Sequence, residues 1–246
     1  MKPLFLMICL FVIPVSSIVA ADNSSPLPTA EEVVTRMASL DLERQSSIAG
    51  YEGMRRYVLE NARLEKRAEM LVRVQGDHDG TKHFEVVSED GWKAANTHVL
   101  RKMLDSESET SRPELRATTK LNFTNYEFAV VGKELVAGRT TYVLEVTPKR
   151  KDKYLFQGRI WVDAEDYALV RVEGSPAKNP SFWTKSTHFV QVYQKRGTLW
   201  FPLSTRSVTE ARIFGTTDVD IEYFDYAPTS QPSQDSLLSA KETYKP

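Results

Sequence analysis

Residues 217–223 read Thr-Asp-Val-Asp-Ile-Glu-Tyr, so apolar side chains alternate strictly with acidic ones. Successive side chains of a β-strand point to opposite faces, and this segment therefore predicts a strand with one dry face and one wet face. Val219, Ile221 and Tyr223 lie on the dry face. An apolar sheet face has to be covered by another layer, and the question of what covers it decides the fold.

Other segments of the chain have the same period of two. Met70, Val72 and Val74 share one face of a strand, and a Gly-Asp-His-Asp-Gly turn leads from it into 82–87, which predicts a hairpin. Further strands are predicted at 140–147, 158–163, 167–173, 187–194, 200–209 and 217–226. Because the connections are short and contain no helices, the strands predict an antiparallel meander.

One helix is predicted with a clear start. Thr29 and Glu32 have the spacing of a capping box, and apolar residues follow at helical intervals to about Gln45. A single helix is a small cover for eight or more strands. The sheet therefore either curls tightly over its own side chains or leaves an apolar concavity, which is a common form of ligand site.

The N-terminus has the three parts of a secretory signal peptide: Lys2, the apolar run 4–13, and small residues before a cut after Ala21. The alternative is a membrane anchor, but a spanning helix needs about 20 apolar residues and Pro14 interrupts this run earlier. We expect a signal peptide at 1–21, a linker at 22–28, one domain at 29–227 and a flexible tail at 228–246. A cleaved signal peptide implies a periplasmic protein.

Composition excludes several classes of function. Cleavage would remove Lys2 and Cys9, leaving 31 basic and 33 acidic residues, a formal charge of −2, and no cysteine. A nucleic-acid-binding domain is usually strongly basic, so no nucleic-acid partner is expected. Thiol nucleophiles and cysteine-based zinc sites are excluded with the cysteine.

No recognised catalytic motif occurs in the chain, and we expect neither an enzyme nor a cofactor. His78 lies between two aspartates, which suits either a metal site or an ordinary turn, and the turn is favoured. Asp163, Glu165 and Asp166 would put three carboxylates together, as in a glycosidase. They follow a strand directly, so turn chemistry is again favoured and no metal ligands are assigned.

Two segments with unusual side chains stay open at this stage. Phe182 and Trp183 lie in a Pro-containing loop, where they either cap the core or form the rim of a cavity. The basic run 149–153 is either a solvated hairpin loop or a contact for acidic head groups.

Several segments carry a resemblance to a known family. They include 125–128 (Asn-Tyr-Glu-Phe), 138–149 (Gly-Arg-Thr-Thr-Tyr-Val-Leu-Glu-Val-Thr-Pro-Lys), 154–163 (Tyr-Leu-Phe-Gln-Gly-Arg-Ile-Trp-Val-Asp), 176–183 (Pro-Ala-Lys-Asn-Pro-Ser-Phe-Trp), 208–210 and 221–223. With the leading helix, they make the chain similar to the LolA-like outer-membrane lipoprotein-sorting proteins, in a divergent branch of the LolA/LolB/RseB-type superfamily.

The resemblance implies a mainly β fold with a few helices: a curved antiparallel sheet forming an incomplete barrel, with the N-terminal helix over its concave face. In that superfamily the concave face holds acyl chains during transit between membranes, and some relatives bind a membrane-anchored regulator instead. The classical carrier has a cavity arginine on an early strand, and the resemblance leaves either Arg55 or Arg56 as its counterpart here.

The sequence thus supports two hypotheses of function. The first is a carrier for lipoproteins or another acylated ligand, which takes its cargo from a membrane-bound donor or gives it to an acceptor. Its ligand-binding concave face would comprise Met70, Val72, Val74, Ile160, Val162, Val219, Ile221 and Tyr223. The second is an envelope protein-binding module, a stress sensor or assembly factor, with no lipid transfer.

Overall fold

A ten-stranded antiparallel sheet makes up most of the computed structural model, which describes residues 26–179 and 181–229. The strands are β1 (Gly50–Asn61), β2 (Lys66–Asp77), β3 (Lys82–Gly91), β4 (Tyr126–Val136), β5 (Arg139–Pro148), β6 (Phe156–Asp163), β7 (Leu169–Pro176), β8 (Thr184–Arg196), β9 (Leu199–Ala211) and β10 (Gly215–Thr229). Each strand predicted from the period of two is present.

The first strand of the chain lies inside the sheet and not at its edge. Its order is β3-β2-β1-β10-β9-β8-β7-β6-β5-β4, so β1 pairs with both β2 and β10, and β3 and β4 form the two edges. Among the described residues β3 and β4 do not pair with each other, and the sheet stays open there. The predicted incomplete antiparallel barrel is therefore confirmed.

Helices lie in two places along the chain, before β1 and between β3 and β4. Helix α1 (Ala30–Ser46) begins where it was predicted, and the Thr29 hydroxyl accepts a hydrogen bond of 3.1 Å from the Glu32 backbone N–H. The connection from β3 to β4 is also helical, with α2 (Lys93–Ala95), a π-helical turn (Asn96–Leu100), α3 (Arg101–Ser111) and α4 (Pro113–Thr119). It runs from one open edge of the sheet to the other.

The inner face of the sheet is covered in two halves. Over β1–β3 and β10, side chains such as Tyr57, Met70 and Val72 pack with Leu100 and Leu104 of the helical connection; this is the first cluster. Over β4–β7, side chains such as Leu144, Ile160 and Val162 pack with Val33, Val34 and Met37 of α1; this is the second cluster. The predicted cover by α1 is confirmed, and the helical connection supplies the other half.

The predicted signal peptide, most of the linker and most of the tail fall outside the described residues. Within 26–179 and 181–229, no helix has the length and apolar character needed to cross a membrane.

The close contact between Gly53 and Tyr226 yields a test of this packing. A Cβ atom at Gly53 would lie 2.5 Å from Cδ2 of the Tyr226 ring, which is buried. Gly53→Ala should therefore lower the free energy of unfolding by about 1–3 kcal/mol, because the ring has to move. Urea unfolding measures the change.

The matched control is Gly132→Ala in β4. A Cβ atom there would meet nothing within 4 Å, so its effect should stay within about 1 kcal/mol and be neutral or stabilising. Equal stability of the two variants would contradict the placement of Tyr226 over Gly53.

Candidate functional site

A cavity of about 650 Å³ lies between the helices and the inner face of the sheet. Strands β8 and β9 pass beneath it, between the two apolar clusters. Its roof includes Met37, Asp41 and Arg44 of α1, Glu107 of α3 and Arg116 of α4. Its size is within the range of about 300–1,000 Å³ that is usual for small-molecule sites.

The floor of the cavity is aromatic. Ten aromatic residues line the cavity: Tyr51, Tyr126, Tyr154, Phe156, Phe189, Tyr193, Trp200, Phe201, Tyr223 and Tyr226. They contact one another in chains, since the Tyr226 ring centre is 5.8 Å from that of Tyr51 and 5.5 Å from that of Phe201. Most come from the central strands β8–β10 and from β1, and Phe201, Tyr223 and Tyr226 also belong to the first cluster.

The charged side chains come mainly from the roof, and cations outnumber anions. Five basic residues line the cavity, namely Arg44, Arg55, Lys82, Arg116 and Lys120, against two acidic ones, Asp41 and Glu107. They form two groups, which we call the inner pair site and the mouth group.

The inner pair site is Arg55, Glu107 and Lys82. Arg55 is 2% exposed, and its guanidinium donates to both carboxylate oxygens of Glu107, at 2.7 and 3.1 Å. Its Nε donates to the Tyr226 hydroxyl at 2.7 Å, and its Cζ lies 4.9 Å from the Tyr223 ring centre. A two-bond arginine–carboxylate contact fixes direction as well as distance, so α3 is held over β1.

Lys82 adds a second cation to the same carboxylate. Its Nζ donates to Glu107 Oε1 at 2.7 Å, and its backbone N–H donates to the Ser111 hydroxyl at 2.8 Å. Burial acts to raise the pKa of Glu107, but the charges of Lys82 and Arg55 outweigh it and lower that pKa to about 2. Glu107 is therefore ionised at neutral pH, and the inner pair site keeps one excess positive charge.

The mouth group is Asp41, Arg44, Arg116 and Lys120. Burial raises the pKa of Asp41, against the opposing charges of Arg44, Lys120 and Arg116. Within the described residues, neither Arg116 nor Lys120 has a carboxylate oxygen within 4 Å. The mouth group thus has three cations around one carboxylate.

The predicted site residues fall into two sets. Tyr223 and Arg55 line the cavity. Met70, Val72, Val74, Val219 and Ile221 belong to the first cluster, and Ile160 and Val162 to the second, each at most 6% exposed. These seven lie under the helices, next to the cavity but not at its surface.

The remaining predicted residues lie away from the cavity. Arg56 follows Arg55 on β1 and therefore points to the opposite face, where its Nε donates to Glu69 at 2.6 Å. Phe182 and Trp183 are 75% and 51% exposed beside the turn before β10, so they neither cap the core nor line the cavity.

For most of the cavity residues, no pattern in the sequence predicted a position at the cavity. Glu107, Arg116 and Lys120 stand in a polar stretch, and nothing near them in sequence shows that they face a cavity. Gln191 and Tyr193 do alternate along β8, and that spacing would have placed both on one face.

The three clustered carboxylates have a structural role. The Arg139 guanidinium donates to both oxygens of Asp163, at 2.5 and 2.8 Å, and the backbone N–H groups of Glu165 and Asp166 donate to Oδ1. Burial would raise the pKa of Asp163, but these bonds lower it overall. Asp163 thus organises a turn, as the sequence favoured. In the described ranges, no three His, Cys, Asp or Glu side chains are grouped as metal ligands.

Part of the chain is similar to a family without an assigned function. The model of a family of unknown function, DUF5686, matches residues 119–226, from the end of α4 to β10. Among curated proteins, none matches the chain.

Solved structures are similar to the chain at low identity. A DUF1329 family protein from Desulfovibrio piger is 14% identical with a TM-score of 0.43, over 83% of this chain and 95% of that one. A LolA superfamily protein from Nitrosomonas europaea is 10% identical with a TM-score of 0.37, over 85% and 97%. A domain described as outer membrane lipoprotein-sorting, from Vibrio parahaemolyticus, is 13% identical with a TM-score of 0.41, over 85% and 98%. LolA-superfamily structures are thus among those similar to this chain, as the sequence resemblance predicted.

Glu107→Gln tests the attachment of α3. It leaves Arg55 and Lys82 without a counter-charge, and breaking a fully buried ion pair costs about 3–5 kcal/mol. Because Glu107 is 33% exposed, we expect a smaller loss of unfolding free energy at pH 7, about 1–3 kcal/mol. Glu109→Gln, at an exposed position of the same helix, should have little effect.

The pH dependence of the Glu107→Gln effect follows from the lowered pKa of Glu107. The folded value of about 2 lies below the ordinary 4.5, so its contribution is present above pH 4.5 and is lost as pH falls towards 2. The difference in unfolding free energy between the wild type and Glu107→Gln should therefore shrink over that interval. A difference that stays constant from pH 7 to pH 2.5 would contradict the ion pair.

Proposed function

We propose that the protein is a non-catalytic carrier that binds an acylated, hydrophobic ligand in the cavity. The observation that supports this most directly is the aromatic floor, where ten aromatic residues border about 650 Å³ of space. A tightly closed sheet would have filled this space with its own side chains. The cavity is instead left between two packed clusters.

The apolar surface of the floor would supply the affinity. Removing apolar area from water contributes about 25 cal/mol per Å². Aromatic rings have large faces and few rotatable bonds, so a ligand can bury area against them with little loss of side-chain freedom. Phe156 and Phe189, with ring centres 5.7 Å apart, form a preformed apolar wall of this kind.

A ligand would enter through the roof. The floor is a continuous hydrogen-bonded sheet, whereas α1, α3 and α4 are attached by side-chain contacts. We propose that the cargo is a lipoprotein acyl chain or another lipid, exchanged with a membrane-bound donor or acceptor in outer-membrane lipoprotein sorting. In this proposal residues 1–21 direct export, and residues 29–227 act as one periplasmic domain.

A second candidate function is a protein-binding module, and a separate surface favours it. Phe182, Trp183, Ile213 and Phe214 are all about half exposed or more, and the Arg212 backbone N–H donates to the Trp183 carbonyl at 2.8 Å. Exposed apolar patches of this kind mark interaction sites. Arg212 and Arg63 flank the patch, so the matching partner surface would be apolar and acidic.

Native mass spectrometry of the protein purified from a bacterial periplasm separates the two functions. A carrier should retain a lipid or acyl species in near-stoichiometric amount, which solvent extraction then identifies. A ligand-free mass, together with no uptake of an added pyrene-labelled fatty acid, would overturn the carrier proposal and favour the protein-binding module.

Filling the cavity from its floor should weaken binding. Gln191 lines the cavity, and Gln191→Trp would occupy part of its volume. We expect the affinity for a pyrene-labelled fatty acid to fall about tenfold or more, equivalent to ~1.4 kcal/mol or more, in a fluorescence titration.

Val190→Trp is the matched control. Val190 is the preceding residue of β8 and points to the opposite face, where it lies across from Glu173 and Arg206. Its affinity should match the wild type. Equal losses in both variants, or no loss in either, would remove the cavity from the proposal.

A further inference from the structure

The lining of the cavity carries more positive charge than its own carboxylates neutralise. At the inner pair site, Arg55 and Lys82 share the single carboxylate of Glu107. At the mouth group, Arg44, Arg116 and Lys120 surround the single carboxylate of Asp41. Counted over the lining residues, the cavity holds a formal excess of three positive charges, although the whole chain has a net charge of −1.

The mouth group has the cations that are free to meet a ligand. Arg55 is fully occupied by Glu107, Tyr57 and Tyr226, and Lys82 by Glu107. Arg44 donates to the Asp166 carbonyl at 3.0 Å. Among the described residues, Arg116 and Lys120 have no such ion pair or side-chain hydrogen bond, and both line the cavity. They are the donors available to an acceptor that enters from outside.

Arg116 is also held in place from the sheet side. A Cβ atom at Gly80 would come within 1.5 Å of Arg116 Nη1, so the guanidinium lies directly against the turn between β2 and β3. The charge of Asp79 in that turn also acts on Arg116. Arg116 therefore spans from α4 to the opposite edge of the sheet, above the mouth of the cavity.

From this arrangement we infer that the ligand is an anionic amphiphile: an acyl chain on the aromatic floor with a carboxylate or phosphate head group at Arg116 and Lys120. A cleft lined with one sign of charge and walled by apolar groups concentrates its field and attracts the opposite charge. Guanidinium groups suit both head groups because they donate two parallel hydrogen bonds to a planar or tetrahedral anion. The inference rests on the proposed function, since it assumes that the floor binds a chain.

The floor argues against a free anion as the ligand. An inorganic ion would use the donors at the mouth and leave the aromatic surface between β7 and β10 bare. Only a molecule with both parts would contact the cations and the rings together. The cations at the mouth suit the carboxylate of a fatty acid and the phosphate of a phospholipid equally. The site therefore selects for an anionic head group of either kind.

Isothermal titration of the full protein at low ionic strength tests the inference with three probes: palmitate, the uncharged ester palmitoyl glycerol, and inorganic phosphate. We expect palmitate to bind at least about tenfold more tightly than palmitoyl glycerol, because both share the chain and only one carries the charge. Added salt should reduce this preference. Inorganic phosphate should show no measurable binding.

The double variant Arg116→Gln/Lys120→Gln should bind palmitoyl glycerol as the wild type does and lose the preference for palmitate. Its matched control is Lys102→Gln/Arg112→Gln, which removes two exposed charges from the same helical connection outside the cavity. The control should keep the full preference.

The outcomes separate the inference from the function it rests on. Equal binding of palmitate and palmitoyl glycerol by the wild type, or an unchanged preference in the Arg116/Lys120 double variant, would overturn the anionic ligand and leave the carrier intact. Binding of inorganic phosphate as tight as palmitate would assign the mouth to a free anion and also overturn it. Binding of neither lipid would overturn the carrier, and the inference with it.

Discussion

The guanidinium of Arg55 lies inside the curve of the sheet, where it is almost completely shielded from water, and it requires a counter-charge there. The chain supplies that charge from Glu107, on the helical connection between the two edge strands. Because the carboxylate has to reach β1, the connection crosses the concave face instead of looping around its outside. This contact holds the second apolar cover on the sheet, and both of its residues line the cavity.

The cavity results from two covers that do not meet. Helix α1 packs on β4–β7, and the helical connection packs on β1–β3 and β10, so the floor over β8 and β9 is left to aromatic side chains. Closing the gap would bring Asp41 and the cations of both helical segments together in a dry interior. Desolvating those charges costs free energy, which opposes closure. The charged roof thus favours an open cavity.

What the sequence could not predict are contacts between residues that lie far apart along the chain. The alternation at 217–223 and the cap at Thr29 are local patterns, and they identified β10 and α1 correctly. The inner-facing side chains of β2, β6 and β10 were also placed on one face, but which of them meet a cavity depends on where helices lie. Glu107 contacts Arg55 across 52 positions of sequence, inside a stretch whose composition resembles a solvated loop. No local pattern carries such a pairing.

The first and last strands of the chain, β1 and β10, pair with each other, since Leu59 lies opposite Val219 and Gly50 opposite Thr229. Folding rates fall as the average sequence separation between contacting residues rises. The meander from β4 to β10 can assemble from neighbouring hairpins, and β1 can pair with β2 in the same way, but the other side of β1 must wait for β10. Until then β10 presents an unpaired edge, so chaperone binding or self-association during folding would concentrate on that strand.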